Sequence, residues 1–288
     1  MSALPRTLND LKEVLCLGVA GNFAGHLEQA GETPDFVNVT TQEAKAPKGL
    51  FPYYIPHHPG ILGCFPLSAS EIIYPKSLAE NAHLQAEPEV CVLFDVTYQA
   101  HQVTELTPCA FAVFNDCSIR KPGAKKISDK KNWGVATKGV SKTFMPLSHF
   151  EAGCELDVMH IASFLKRDGQ FHAYGKDSSV LTYSYFHGQL KAWMIHQLNE
   201  QTDFGPLENL SDIIQAANQP SQMMVSLGAT TYTEYGETVF LAPGDEIFFC
   251  AYDSTQHSAE AVFQHLCESD QHTTECLPGS STLHQKIV

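Results

Sequence analysis

Apolar residues fall in short runs separated by turn chemistry rather than in one long periodic stripe. Val14 to Ala20 closes at Gly21 and Phe23 to Ala30 ends at Gly31, so the pattern predicts a strand, a turn and a short helix capped by Asn22. Val90 to Val96 and Ala110 to Phe114 are β-branched or aromatic runs of strand length, read as neighbouring strands. Glu155 to Phe164 and Phe171 to Tyr174 flank a hairpin whose turn is Asp168-Gly169. Thr238 to Leu241 and Glu246 to Tyr252 read as two more strands around Pro243-Gly244-Asp245. Leu181 to Leu198 is mostly helical in pattern, offering Tyr185, Leu190, Trp193, Met194 and Leu198 to a core.

Between residues 47 and 66 five prolines stand among glycines and aromatics, which predicts an ordered loop without regular structure. No repeat of fixed period occurs. Many short strands with few helices predict a single β-rich α+β domain over residues 1–253, followed by a polar, poorly ordered tail at 254–288. In that tail His257, His265, Cys267, His272, Cys276 and His284 match no compact zinc pattern, but they keep a zinc or redox sensor open as a reading.

Composition narrows the class. The 288 residues are 43% hydrophobic and 17% charged, enough to build a real core. Eighteen Lys and Arg against 32 Asp and Glu leave a net charge of −14, which argues against nucleic acid or an anionic membrane surface as partner. The longest apolar runs, such as Cys109 to Phe114, fall far short of the roughly 20 residues of a membrane span. Arg6, Asp10, Lys12 and Glu13 break up the apolar stretch a signal peptide needs. Nine cysteines with no C-x-x-C pair read as free thiols in a reducing compartment, so a cytoplasmic location is expected.

Candidate chemistry begins at Glu87 and Glu89. Two apart in a strand, they project from one face, and two like charges so close call for a cation. Hard oxygen ligands without soft partners favour Mg²⁺ or Mn²⁺, with Ca²⁺ also possible. The competing reading is a solvent-facing pair on an edge strand, which Pro88 between them would suit. Asn115-Asp116 at the end of the next strand brings a third carboxylate within reach, unless it is only a turn, and Arg120 and Lys138 offer positive charge to an oxyanion. Eight of the 18 basic residues fall between Arg120 and Lys142: Arg120, Lys121, Lys125, Lys126, Lys130, Lys131, Lys138 and Lys142. Such an island predicts either attraction for an anionic ligand or a solvated loop.

A family resemblance rests on these residues. Leu17-Gly18-Val19-Ala20-Gly21-Asn22-Phe23-Ala24-Gly25-His26, the Glu87-Pro88-Glu89 strand, Asn115-Asp116-Cys117-Ser118-Ile119-Arg120, Lys138 with Pro146 beyond it, Leu227-Gly228-Ala229-Thr230 and Pro243-Gly244-Asp245 occur in that order. The chain from residue 14 to about 250 resembles the fumarylacetoacetate hydrolase superfamily, as a divergent member. The resemblance implies a mixed β-roll, a homodimer, and a divalent ion held by Glu87, Glu89 and Asp116. It also implies His26 as general base and Arg120 and Lys138 as cations facing a small carboxylate or dicarbonyl substrate, with Asn115 and Thr230 as substrate contacts.

The departures are specific. Where the family typically has a glutamate three residues after the histidine, this chain has Gln29, with Glu28 and Glu32 on either side as candidate carboxylates for His26. On a helix Glu28 lies about 200° around from His26, so Gln29 or Glu32 is left to orient the imidazole. Gly123 stands where some members carry a glutamine, and the T-G-T-P turn appears only as Gly228-Ala229-Thr230-Thr231. The activity implied is hydrolysis of a carbon–carbon bond in a 1,3-dicarbonyl or acylpyruvate-like acid through a metal-stabilised enolate. Decarboxylation or isomerisation of a similar keto acid uses the same enolate, and a non-catalytic small-acid-binding or interaction protein is the reading from a different class.

Overall fold

A computed structural model describes residues 7–41, 43–76, 78, 82–121, 123–268 and 277–288; the readings that rest on Arg6, His272 and Cys276 fall outside them. The described strands form three sheets. The largest contains β1 (Leu15–Ala20), β2 (Gly49–Tyr54), β3 (Leu67–Ser68), β6 (Pro88–Gln99), β7 (Gln102–Asn115), β9 (Lys138–Val140), β10 (Met145–Pro146) and β13 (Gln222–Ser226). The second joins β4 (Glu71–Ile72), β11 (Met159–Arg167), β12 (Gln170–Ser179), β14 (Glu246–Asp253) and β15 (Ser280–Ile287), while β5 (His83–Gln85) pairs β8 (Ser118–Arg120). The helices are α1 (His26–Gln29), α2 (His187–Glu200), α3 (Leu210–Ala216), α4 (Glu234–Thr238) and α5 (Ala259–Glu268). This is the β-rich α+β architecture of a mixed β-roll.

The largest sheet runs β2-β1-β13-β6-β7-β9-β3 with β10 on β7, and the second runs β12-β11-β14-β15-β4. Leu17, Val92 and Phe111 of the first share a core with Ile161, Phe249 and Leu283 of the second. The runs at 90–96 and 110–114 pair as antiparallel neighbours, β6 with β7. Their inner halves are buried on both faces, which explains why they read as near-continuous apolar runs rather than as alternation. The 155–174 hairpin turns at Asp168 and Gly169, both left-handed with φ of 52° and 79°, as a type I′ turn requires.

Five local expectations are corrected. Asn22 caps no helix: its amide donates to the Tyr185 and Leu227 carbonyls and accepts from the Tyr185 N–H, so it clamps three segments together. Residues 47–66 hold a strand after all, because β2 is the sheet edge and Pro52 is tolerated there. The predicted strand at 238–241 is absent, since α4 ends at Thr238 and Leu241 only bridges Leu84. The helix expected from Leu181 starts at His187, burying Leu190, Met194 and Leu198 at i, i+4 and i+8. Lastly, the polar C-terminal stretch is no loose tail: α5 packs Val262 and Leu266 onto the second sheet, and β15 is an inner strand between β14 and β4. Its polar residues alternate with buried ones, so polarity alone misread it.

One half-buried acid outside the sequence motifs carries a pH prediction. The Ser128 hydroxyl donates to Glu208, whose other carboxylate oxygen is buried without a donor. Burial pushes the carboxyl from 4.5 up to about 7 despite Ser128 and Lys126. The folded state thus binds this proton more tightly than the unfolded chain does. The contribution to stability is complete below pH 4.5 and is lost as pH rises through about 7, a difference of roughly 3 kcal/mol. Glu208→Gln is expected to raise the melting temperature above about pH 7 and leave it unchanged below pH 4.5. Thermal melts at both ends check this; an equal shift at both would remove Glu208 as the cause.

Candidate functional site

The three candidate carboxylates meet because β6 begins where β7 ends. The register pairs Pro88 with Asn115 and Glu89 with Phe114, so Asp116 comes beside Glu87, and its N–H donates to the Glu87 carbonyl at 3.1 Å. Oxygens of Glu87, Glu89 and Asp116 lie within 4.8 Å of one another, and all three side chains are buried. The edge-strand reading of Pro88 is corrected, because β6 lies between β13 and β7. Pro88 is tolerated as the first residue of the strand. Three hard oxygen donors in one buried cluster have the chemistry to hold a divalent metal.

Each carboxylate already has a partner from the protein. Lys131 Nζ lies 3.0 Å from both Glu87 oxygens and 2.6 Å from Asp116 Oδ2. Lys138 Nζ is 2.8 Å from Asp116 Oδ1 and also donates to the Cys117 carbonyl. Arg120 pairs with Glu87 at 2.8 Å and Glu32 at 2.7 Å while donating to Gln85 and the Tyr232 hydroxyl. Gly228 N–H donates to Glu89 at 3.0 Å. Burial pushes the Glu87 carboxyl up, but Lys131 and Arg120 outweigh it and hold it well below the usual range. Burial, Asp116 and Glu87 push Glu89 the other way, well above it.

His26 is oriented by backbone. Its Nδ1 lies 3.0 Å from the Thr230 carbonyl, which can only accept, so Nδ1 carries the proton and Nε2 faces Glu87 Oε2 at 3.9 Å with its lone pair. Burial is the main cause that lowers the His26 pKa, which keeps the ring neutral. Gln29 does not orient it: the Gln29 side chain bonds Tyr232 backbone on both sides and the Glu237 carboxylate. Glu32, the other candidate, turns to Arg120 and to Lys130 at 2.8 Å. Burial raises its carboxyl, and Arg120 and then Lys130 bring it down to about 2.

Two expected substrate contacts serve the protein instead. Asn115 is fully buried, accepting from Glu87 N–H and donating to Gln285 of β15 at 2.9 Å, so the C-terminal strand braces the carboxylate cluster. Thr230 donates its N–H to the Pro88 carbonyl and gives its own carbonyl to His26. Arg120 and Lys138, expected to face a substrate, are spent on internal acids. Lys130 and Lys131 were not singled out from the basic island. The signal that could have found them is that island itself, an excess of cations close in sequence to the Asn115–Arg120 motif of an acidic chain. Of the two readings offered for it, the solvated loop fails at Lys130, Lys131 and Lys138, all buried against the protein's own carboxylates.

The space left at the centre is small. A cavity of about 20 Å³, room for about one water, is lined by His26, Glu32, Glu87, Glu89, Asp116 and Lys131. A larger cavity of about 560 Å³, bordered by Trp193, His196 and Phe204, shares none of these residues.

Solved structures share this fold. Cg1458, solved with an inhibitor, superposes with a TM-score of 0.52 at 14% identity, over 95% of this chain and 76% of its own. A protein from Oleispira antarctica named for fumarylacetoacetate isomerase/hydrolase superposes with a TM-score of 0.51 at 12% identity, over 96% and 93%. The chain shares the fold of these proteins. Comparison with curated proteins finds no match. By sequence the chain belongs to the family of unknown function DUF5718, whose model matches residues 32–287. No helix among the described residues is long and apolar enough to cross a membrane.

Proposed function

We propose that the protein is a divalent-metal-dependent enzyme that cleaves a carbon–carbon bond in a small 1,3-dicarbonyl or acylpyruvate-like acid. The observation that carries this reading is one cluster in which Glu87, Glu89 and Asp116 converge beside His26, whose unprotonated Nε2 points at them. Glu87, Glu89 and Asp116 would hold Mg²⁺ or Mn²⁺, which supplies Lewis-acid polarisation of adjacent carbonyl and carboxylate oxygens. His26 is placed to take a proton from water at Nε2, with the Thr230 carbonyl steadying the imidazolium at Nδ1 in place of the family's glutamate. Lys138 and Arg120 set the charge of the cluster through Asp116, Glu87 and Glu32 rather than by touching the substrate.

Glu89→Gln tests this with the least disturbance, since a glutamine oxygen still accepts from Gly228 N–H. The variant is expected to keep its melting temperature within a few degrees, to lose Mn²⁺ binding in calorimetric titration, and to lose turnover of acylpyruvates or oxaloacetate. Wild-type protein that binds neither Mn²⁺ nor Mg²⁺ and turns over none of these acids would overturn the reading. One observation favours a non-catalytic member instead: Glu87 and Asp116 are already paired and the central cavity takes only about one water.

A further inference from the structure

The segment around Lys131 is built into the centre from both sides. Lys130 Nζ is fixed 2.8 Å from both Glu32 and Asp35. Asn132 donates to the Tyr53 and Cys64 carbonyls at 2.8 and 3.1 Å, and the Trp133 indole donates to the Ile73 carbonyl at 2.8 Å. Between these anchors the Lys131 side chain is 3% exposed, with its ammonium 5.1 Å from the centre of the Phe51 ring. An ammonium has three donors, and three carboxylate oxygens lie within reach, two on Glu87 and one on Asp116. Glu87 and Asp116 have therefore received a cation from their own chain.

Charge and volume agree with this. Glu32, Glu87 and Asp116 are ion-paired with Arg120, Lys130, Lys131 and Lys138, and Glu89 accepts from Gly228 N–H, so every acid has a partner before any ion is added. A divalent ion entering that buried, already partnered cluster must take oxygens that Lys131 holds, and it must find room beside a cavity of about 20 Å³ that Lys131 itself lines. A compact point charge on a flexible four-carbon stem can swing clear by side-chain rotation while its anchored neighbours stay in place.

We propose that Lys131 is the resident cation of this centre: its ammonium occupies the position between Glu87 and Asp116, and a divalent ion enters only when Lys131 is displaced. This rests on the reading of Glu87, Glu89 and Asp116 as a metal centre. Metal affinity is then set by the fraction of molecules in which Lys131 has left, and a fraction of about one in a hundred weakens apparent binding about 100-fold. Displacement would also enlarge the cavity, coupling entry of the ion to entry of a substrate.

The test is calorimetric titration of wild type and Lys131→Met with Mn²⁺, alongside melting temperatures with and without Mn²⁺. Lys131→Met is expected to bind Mn²⁺ about 100-fold more tightly, and Mn²⁺ is expected to raise its melting temperature by more than that of wild type. Equal affinity in the two proteins overturns the proposal and leaves the metal-centre reading intact. No binding by either overturns both. Should Lys131→Met require Mn²⁺ in order to fold, that result supports the proposal as well. Wild type supplies a readout that needs no variant: amine-reactive labelling of Lys131, followed by peptide mass spectrometry. Labelling is expected to rise with saturating Mn²⁺, and Mn²⁺ binding with unchanged Lys131 labelling overturns the proposal.

Discussion

Arg120→Met is expected to lower the melting temperature by roughly 10 °C, reflecting a loss of about 3–5 kcal/mol when one partner of a buried ion network is removed. Arg120 joins four groups: Glu87, Glu32, Gln85 and the Tyr232 hydroxyl. Methionine approximates the stem but leaves two buried carboxylates short of a counter-charge, and that uncompensated desolvation, not lost attraction, sets the size of the effect. Arg120→Lys should recover only part of it, because an ammonium cannot span the same fork of acceptors. Part of the loss depends on pH with a definite sign. Glu32 falls from 4.5 to about 2 in the folded protein, so its stabilisation is present above pH 4.5 and is lost as pH drops through about 2. The gap between wild type and Arg120→Met is therefore expected to narrow in acid. Denaturation melts across that range check both parts, and a drop of only a degree or two near neutral pH would show that the network contributes little.

His26→Gln is expected to reduce turnover of the acid substrate by about 10²- to 10⁴-fold, the usual worth of a positioned general base. The substitution separates two roles. A glutamine amide can still donate to the Thr230 carbonyl, which keeps the turn that carries α1, but it offers no basic lone pair at the position of Nε2. The fold should survive with a melting temperature within a few degrees of wild type, because the Nδ1 bond is the hydrogen bond that ties the ring down. Mn²⁺ affinity should also change little, since His26 approaches Glu87 only at 3.9 Å. Steady-state kinetics with Mn²⁺ and an acylpyruvate decide the matter. Full activity in His26→Gln would leave the imidazole a structural residue. Gln29→Ala supplies a contrast, as its contacts go to Tyr232 and Glu237 and its effect should fall on stability.

What the sequence determined by itself is local or carried by strand alternation. Glu87 and Glu89 share a face because side chains repeat every two residues along a strand, and Asp116 follows from two apolar runs long enough to pair as neighbours. The Asp168-Gly169 hairpin is equally local, since its turn geometry selects residues that accept left-handed backbone. The order of six short motifs was enough to suggest a fold that the solved structures share. Only the tertiary structure decided who neutralises those acids. Lys130 meets Glu32 across 98 positions, Lys131 meets Glu87 across 44, and Asn115 meets Gln285 across 170. Long, flexible cationic side chains leave no periodic trace of where their charged ends go, and a strand such as β15 is recruited by the sheet it completes. The acids were legible because their own strand places them; the cations, and the C-terminal strand behind them, were settled by packing between segments that the sequence keeps far apart.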